Sequence, residues 1–170
     1  KAIDETSGLT ADQKQTAKNQ IDQAVTDAQE NIKKASDNQG VADAKDAGKL
    51  AIDKVSAKAA IDDDLAKKIE EIKANTNLTA EEKAKLTTDA NSAANDAKDK
   101  IQSATTNDGA TKAGQDGKTA IEGVTVPTDS DVKKNANSDL DKTAAAAKKA
   151  IDETSGLTAD QKQTAKDQID

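Results

Sequence analysis

The sequence predicts an all-α protein built as tandem three-helix-bundle repeats that form an elongated rod, with one long helix shared between units. Three observations predict it. One segment occurs twice almost unchanged: residues 1–22 read KAIDETSGLTADQKQTAKNQID, and residues 149–170 differ from them only in having Asp167 for Asn19. Apolar residues recur at steps of three and four, the signature of an amphipathic helix. The composition is rich in the helix formers Ala and Lys, with Gln and Glu among its polar residues, and holds no aromatic residue at all.

The repeats come first, because self-similarity at a fixed period decides the architecture. Between the two near-identical copies lies a weaker one, NTNLTAEEKAKL at residues 75–86. It puts Leu9, Leu78 and Leu157 in register, 69 and then 79 residues apart. Two unlike units therefore alternate. The boundaries expected are 1–56 for a first repeat lacking most of its leading helix, and 57–125 for a second, complete three-helix repeat. Residues 126–170 then hold the leading helix and the start of the second helix of the next repeat.

The second helix of each repeat is expected over roughly 10–37 and 79–105. Its stripe is Ala17, Ile21, Ala24, Val25, Ala28, Ile32 and Ala35 in one copy. Leu86, Ala90, Ala93, Ala94, Ala97, Ile101 and Ala104 match it in the other. Thr10 with Gln13, Thr79 with Glu82 and Thr158 with Gln161 fit the capping box, in which side chain and backbone of the cap and its N3 residue satisfy each other.

A short polar turn follows, at Asp37-Asn38-Gln39-Gly40 and at Thr106-Asn107-Asp108-Gly109. The third helix then carries Val41, Ala44, Gly48, Ala51, Ile52 and Val55, matched by Ala110, Ala113, Gly117, Ala120, Ile121 and Val124. A mid-helix glycine costs about 1 kcal/mol against alanine, so Gly48 and Gly117 point to close approach of a neighbouring helix.

The leading helix is clearest from about Ser130 to Thr154, with Val132, Ala136, Leu140, Ala144, Ala147 and Ile151 on one side. Before it stands GVTVPTDSD, with the single proline, Pro127, and Thr128 or Asp129 as the expected N-cap. Ten residues of this connection are missing from the other junction, between Val55 and Ile72. There the third helix of one repeat is expected to run straight into the leading helix of the next. An Ala-rich stripe implies closely spaced helices and a thin core, so a single repeat is expected to be marginally stable alone.

The composition also bounds function. With no His and no Cys there is no imidazole base, thiolate nucleophile or ordinary zinc site. A net charge of −7, without Arg or aromatic platforms, argues against nucleic acid. No apolar run approaches the roughly 20 residues needed to span a bilayer. No segment reads as a signal peptide, so targeting information is expected to lie elsewhere. The clusters Asp62-Asp63-Asp64 and Asp129-Ser130-Asp131 invite a metal or acid/base reading, but neither has the alternating ligands and distal Glu of a calcium loop. Both read as solvated helix starts favoured by the helix dipole. No catalytic, cofactor-binding or metal-binding residue is predicted, and no enzyme. A lipid-surface helix and a disordered, desiccation-type chain are further alternatives. The Ala-dominated stripe speaks against the first; the regular turns and caps speak against the second.

AKKAIDETSGLTADQK, followed by IDQAVTDAQENIKKASDNQGVADAKDAGKLAIDKV, resembles domain-of-unknown-function family 1542. The most telling piece is V-x-x-A-x-x-x-G-x-x-A-I-x-x-V, from Val41 to Val55. Albumin-binding GA modules and FIVAR repeats are similar helical modules. The resemblance implies a tandem repeat of a Gram-positive, cell-wall-anchored surface protein, with a stalk or adhesin role in aggregation and biofilm. Partners are then neighbouring repeats in the same chain, like arrays on other cells, or a host protein such as albumin, fibronectin or fibrinogen bound by one helical face.

Overall fold

The structure, a computed structural model, describes residues 3–169. It holds six helices in the order α1 (Ala11–Lys34), α2 (Asn38–Ala74), α3 (Ala80–Ser103), α4 (Asn107–Glu122), α5 (Asp131–Glu153) and α6 (Ala159–Asp167). No strand occurs among the described residues. The chain divides into two units: residues 3–76 with 80–126, and residues 77–79 with 127–169.

Local chemistry sets the helix starts. Before α1 the Thr10 hydroxyl accepts from the Gln13 amide at 3.2 Å, and the Gln13 side chain accepts from the Thr10 amide at 2.8 Å. The same box, Thr158 with Gln161, opens α6. Asp37 caps α2 and Thr106 caps α4, each accepting from a glycine three residues on, Gly40 and Gly109. Both glycines therefore sit in the first helical turn, and the polar turn is shorter than the sequence suggests. The cap of α5 is Ser130, not Thr128 or Asp129: its hydroxyl accepts from the Lys133 amide at 3.1 Å. Ser, Thr and Asp cap comparably well, so composition does not choose among three adjacent candidates.

In the first unit, α2 is one helix of 37 residues, about 55 Å at 1.5 Å per residue. Its N-terminal half packs against α1, and its C-terminal half packs against α3 and α4, which also pack on each other. The unbroken helix across residues 55–72 is as expected: no proline interrupts them, and α2 contains them all. The C-terminal half of α2 forms a three-helix bundle with α3 and α4. Ile61 from α2 meets Ala94, Ala97 and Ile101 of α3 and Ile121 of α4 in a buried cluster. A smaller cluster gathers Ile3, Leu9, Ala17 and Ala59, with Ile21 and Val55 alongside.

The second unit pairs α5 with α6. Residues 123–130 ahead of α5 are non-helical. The α5 stripe is present as a helix face but covered by little. Val132 is 60% exposed and Leu140 is 67% exposed, and α5 has no buried residue. Periodicity identified residues sharing a face; it did not identify what the face meets.

Candidate functional site

The features that distinguish this chain lie where the loops close and where helices approach each other. In three places a lysine at one register position donates to a backbone carbonyl across the loop that enters a second helix. Lys14 reaches Asp4 O, Lys83 reaches Lys73 O, and Lys162 reaches Asp152 O, at 2.7–3.4 Å. In the outer copies a second lysine pairs with the side chain of the same aspartate: Lys18 with Asp4, and Lys166 with Asp152 in the last turn of α5.

The first of these loops is also clasped from α2. The Asp63 carboxylate accepts from the Gly8 amide at 2.5 Å and pairs with Lys67 at 2.6 Å. Burial works to raise the Asp63 pKa. The Lys67 hydrogen bond, the Gly8 and Leu9 amides and the Lys67 charge outweigh it and hold the carboxyl below its ordinary value. Gly8 is required here, because a Cβ would stand 2.7 Å from the Asp63 carbonyl oxygen.

Asp62-Asp63-Asp64 is therefore not a helix start, as the sequence suggested, but lies in the middle of α2. Successive helical residues point about 100° apart, so each carboxylate serves a different neighbour. Asp62 pairs with Lys98 of α3 at 2.6 Å, Asp63 holds the Gly8 loop, and Asp64 faces Lys118 of α4 at 3.5 Å. This divergence leaves no shared point for an ion. Asp129-Ser130-Asp131 is a helix start, with Asp129 and Asp131 exposed and Ser130 as the cap. Among the described residues no group of three or more His, Cys, Asp or Glu side chains is placed to hold a metal.

The helix glycines mark close approaches. A Cβ on Gly48 would run into the Ala28 side chain, and one on Gly117 into Ala97 and Ile61. Beside each glycine runs a shallow groove of about 300 Å³ or 340 Å³. The two grooves are lined at matching positions, Ala24, Ala28 and Gly48 in one and Ala93, Ala97 and Gly117 in the other. Their rims differ, with Gln20 and Asn31 against Asp89 and Lys100, so the floor repeats and the charge does not. The sequence signal for the close approaches was the pair of mid-helix glycines. Nothing in the sequence singled out Asp63 from its neighbours.

Residues 1–57 and 53–129 match the family described as Domain of Unknown Function (DUF1542). The chain belongs to this family. The two DUF1542 matches overlap at residues 53–57, inside α2, where no loop separates them. Residues 133–170 match the GA module, a three-helix bundle. Both are non-catalytic repeat or binding domains, typical of bacterial surface proteins. Nothing matches the chain among curated proteins or among solved structures. No helix among the described residues is long and apolar enough to cross a membrane.

Proposed function

We propose that this chain is a stalk or spacer segment of a bacterial cell-surface adhesin, anchored to the cell wall, in which successive DUF1542 repeats project a binding region and support aggregation or biofilm. The observation that carries this reading is α2: one helix serves as the third helix of one repeat and the leading helix of the next. A connection of that kind resists bending, because a kink in a helix interior breaks backbone hydrogen bonds. Repeats joined through contacts with neighbours alone behave as quasi-one-dimensional arrays whose length follows repeat number. The repeat boundaries proposed are 1–56, 57–125 and 126–170. Small-angle scattering on chains of one, two and three copies of residues 1–148 tests the reading. A radius of gyration rising in proportion to copy number supports it; growth like that of a compact globule, near the 0.38 power of length, defeats it.

A second reading is favoured by one observation, the GA match over residues 133–170. The α5–α6 unit would then capture a host protein, albumin being the partner of GA modules. Its exposed Val132, Leu140 and Leu157 are the available apolar anchors. Albumin retained from plasma by the intact chain, and lost with Leu140→Asp, would support this reading over a pure spacer.

A further inference from the structure

The chain passes from Val55 to Ile72 inside one helix, but from Val124 to Ile151 by way of a non-helical segment, residues 123–130. The loops ahead of α1 and α3 differ at one register position, Gly8 in the first and Asn77 in the second. Gly8 offers its amide to Asp63, with α2 so close that a Cβ would stand 2.7 Å from a backbone oxygen; an asparagine does not fit there. On α5 the residue in register with Asp63 is Lys142, whose side chain has no oxygen to accept an amide. The glycine–carboxylate clasp is therefore not repeated, and another takes its place. The Asn77 side chain donates to the Thr128 carbonyl at 3.0 Å and to the Asp129 carboxylate at 3.2 Å. Leu78 and Ser130, the residues that follow on each side, are 6% and 1% exposed, so these bonds sit beside covered groups.

Held at one end by Asn77, the segment is held at the other by the end of α4. There the Gly123 and Val124 amides donate to the Thr119 and Ile121 carbonyls at 2.9 and 3.2 Å. Between the two lie Thr125, Val126 and Pro127, with Thr125 and Pro127 exposed. At eight residues this is the longest connection between helices in the described chain, the others having three or five. An endopeptidase must bind several residues in extended form around the bond it cuts, which a helix does not offer and an exposed loop does. Residue types then narrow the class. From Gly123 to Ser130 there is no Lys, Leu or aromatic residue, so cleavage after basic or large side chains has no target. Val126 precedes Pro127, whose ring nitrogen makes a poor scissile bond. Val124–Thr125 remains, with an apolar β-branched residue on its carbonyl side.

We propose that residues 123–129 form a cleavable joint, cut at Val124–Thr125 by an endopeptidase whose pocket takes small β-branched side chains, and that Asn77 is the latch that governs the rate. Water adds across the amide bond; Val124 keeps the carboxylate and Thr125 the new amine. The segment must leave one of its two holds to enter a protease cleft. Release on the Asn77 side breaks side-chain hydrogen bonds, whereas release on the α4 side unwinds helical backbone. Cleavage of a locally opened segment follows the population of the open form, so the latch sets the rate. The cut leaves α1 to α4 on one product and α5 with α6 on the other. This inference depends on neither the spacer nor the albumin reading.

Limited proteolysis of the full chain with pancreatic elastase, read by intact mass, tests it. The expected first products are residues 1–124 and 125–170. Asn77→Ala should speed that cut by about fivefold to thirtyfold, the gain in open population when two hydrogen bonds are lost. Asn77→Asp sets a like charge against Asp129 and should be faster still. Asp63→Ala loosens the Gly8 loop instead and should leave the rate at Val124–Thr125 unchanged, which separates a latch from general loosening. A first cut at any other bond overturns the proposal. So does an unchanged rate in Asn77→Ala, or an equal acceleration in Asp63→Ala.

Discussion

The α1–α2 hairpin and the α2–α3–α4 bundle are built from the same pattern, yet they enclose their apolar seams to different degrees. In the bundle, small residues such as Ala94 and Ala97 are enclosed because a third helix brings Ile61 against them. In the hairpin, Val25 and Val41, larger residues at the register of Ala94 and Ala110, remain partly in water, as does Ile32 at the register of the buried Ile101. Burial here is decided by helix count, not by side-chain size. Along the α1–α2 seam burial is confined to Ala17, Gly48 and Ala59, the first and last of them clustered with Ile3 and Leu9. The α5–α6 unit repeats the lesson, with Leu140 exposed on a helix whose register partner Ile61 is enclosed.

That comparison orders the expected effects of substitution. The largest belongs to the bundle core: Ile101→Ala should cost about 3 kcal/mol, within the range for large-to-small changes at fully buried sites. The register partner Ile32→Ala, half-buried, should cost less than half as much. Chemical denaturation of both variants measures the gap, and equal losses would break the comparison. Next comes Gly117→Ala. The added methyl meets Ala97 and Ile61, an overpacking cost of about 1–3 kcal/mol that outweighs the gain in helix propensity of about 1 kcal/mol. Gly48→Ala meets Ala28 alone and should cost less, because the two-helix hairpin can part.

A smaller effect is expected at the loop clasp. Asp63→Ala leaves the Gly8 amide without its acceptor and should cost about 1–2 kcal/mol. The pH dependence has a definite sign. The Asp63 pKa is lowered on folding, so its stabilisation is complete above the ordinary value near 3.8 and is lost as pH falls through the folded value below it. The difference in melting temperature between the native chain and Asp63→Asn should therefore be constant near neutrality and shrink under acid. The smallest effect is at Leu140→Ala, expected within about 0.5 kcal/mol for the monomer because the side chain is already solvated.

Much of the architecture was legible in the sequence. The step of three and four gave the helix faces, Thr10 and Thr158 gave two helix starts, and the ten residues absent between Val55 and Ile72 pointed to an unbroken α2. The mid-helix glycines reported their own close approaches. What was not legible depended on partners. The cap of α5 fell to Ser130 among three residues with similar capping ability. Asp62-Asp63-Asp64 looked like a helix start because charge runs are common there, whereas helical rotation sends the three side chains to three neighbours. A local pattern specifies direction around an axis; only the assembled helices specify what lies in that direction.

The central claim is that one unbroken helix serves two repeats, and the amides of residues 56–60, at the junction where the two DUF1542 matches overlap, test it most directly. Native-state hydrogen exchange should find them protected like those flanking Ile61, with continuous helical connectivities from Val41 to Ile72. Exchange at the rate of an open loop, with helical connectivities broken between Ser56 and Ala60, would contradict it.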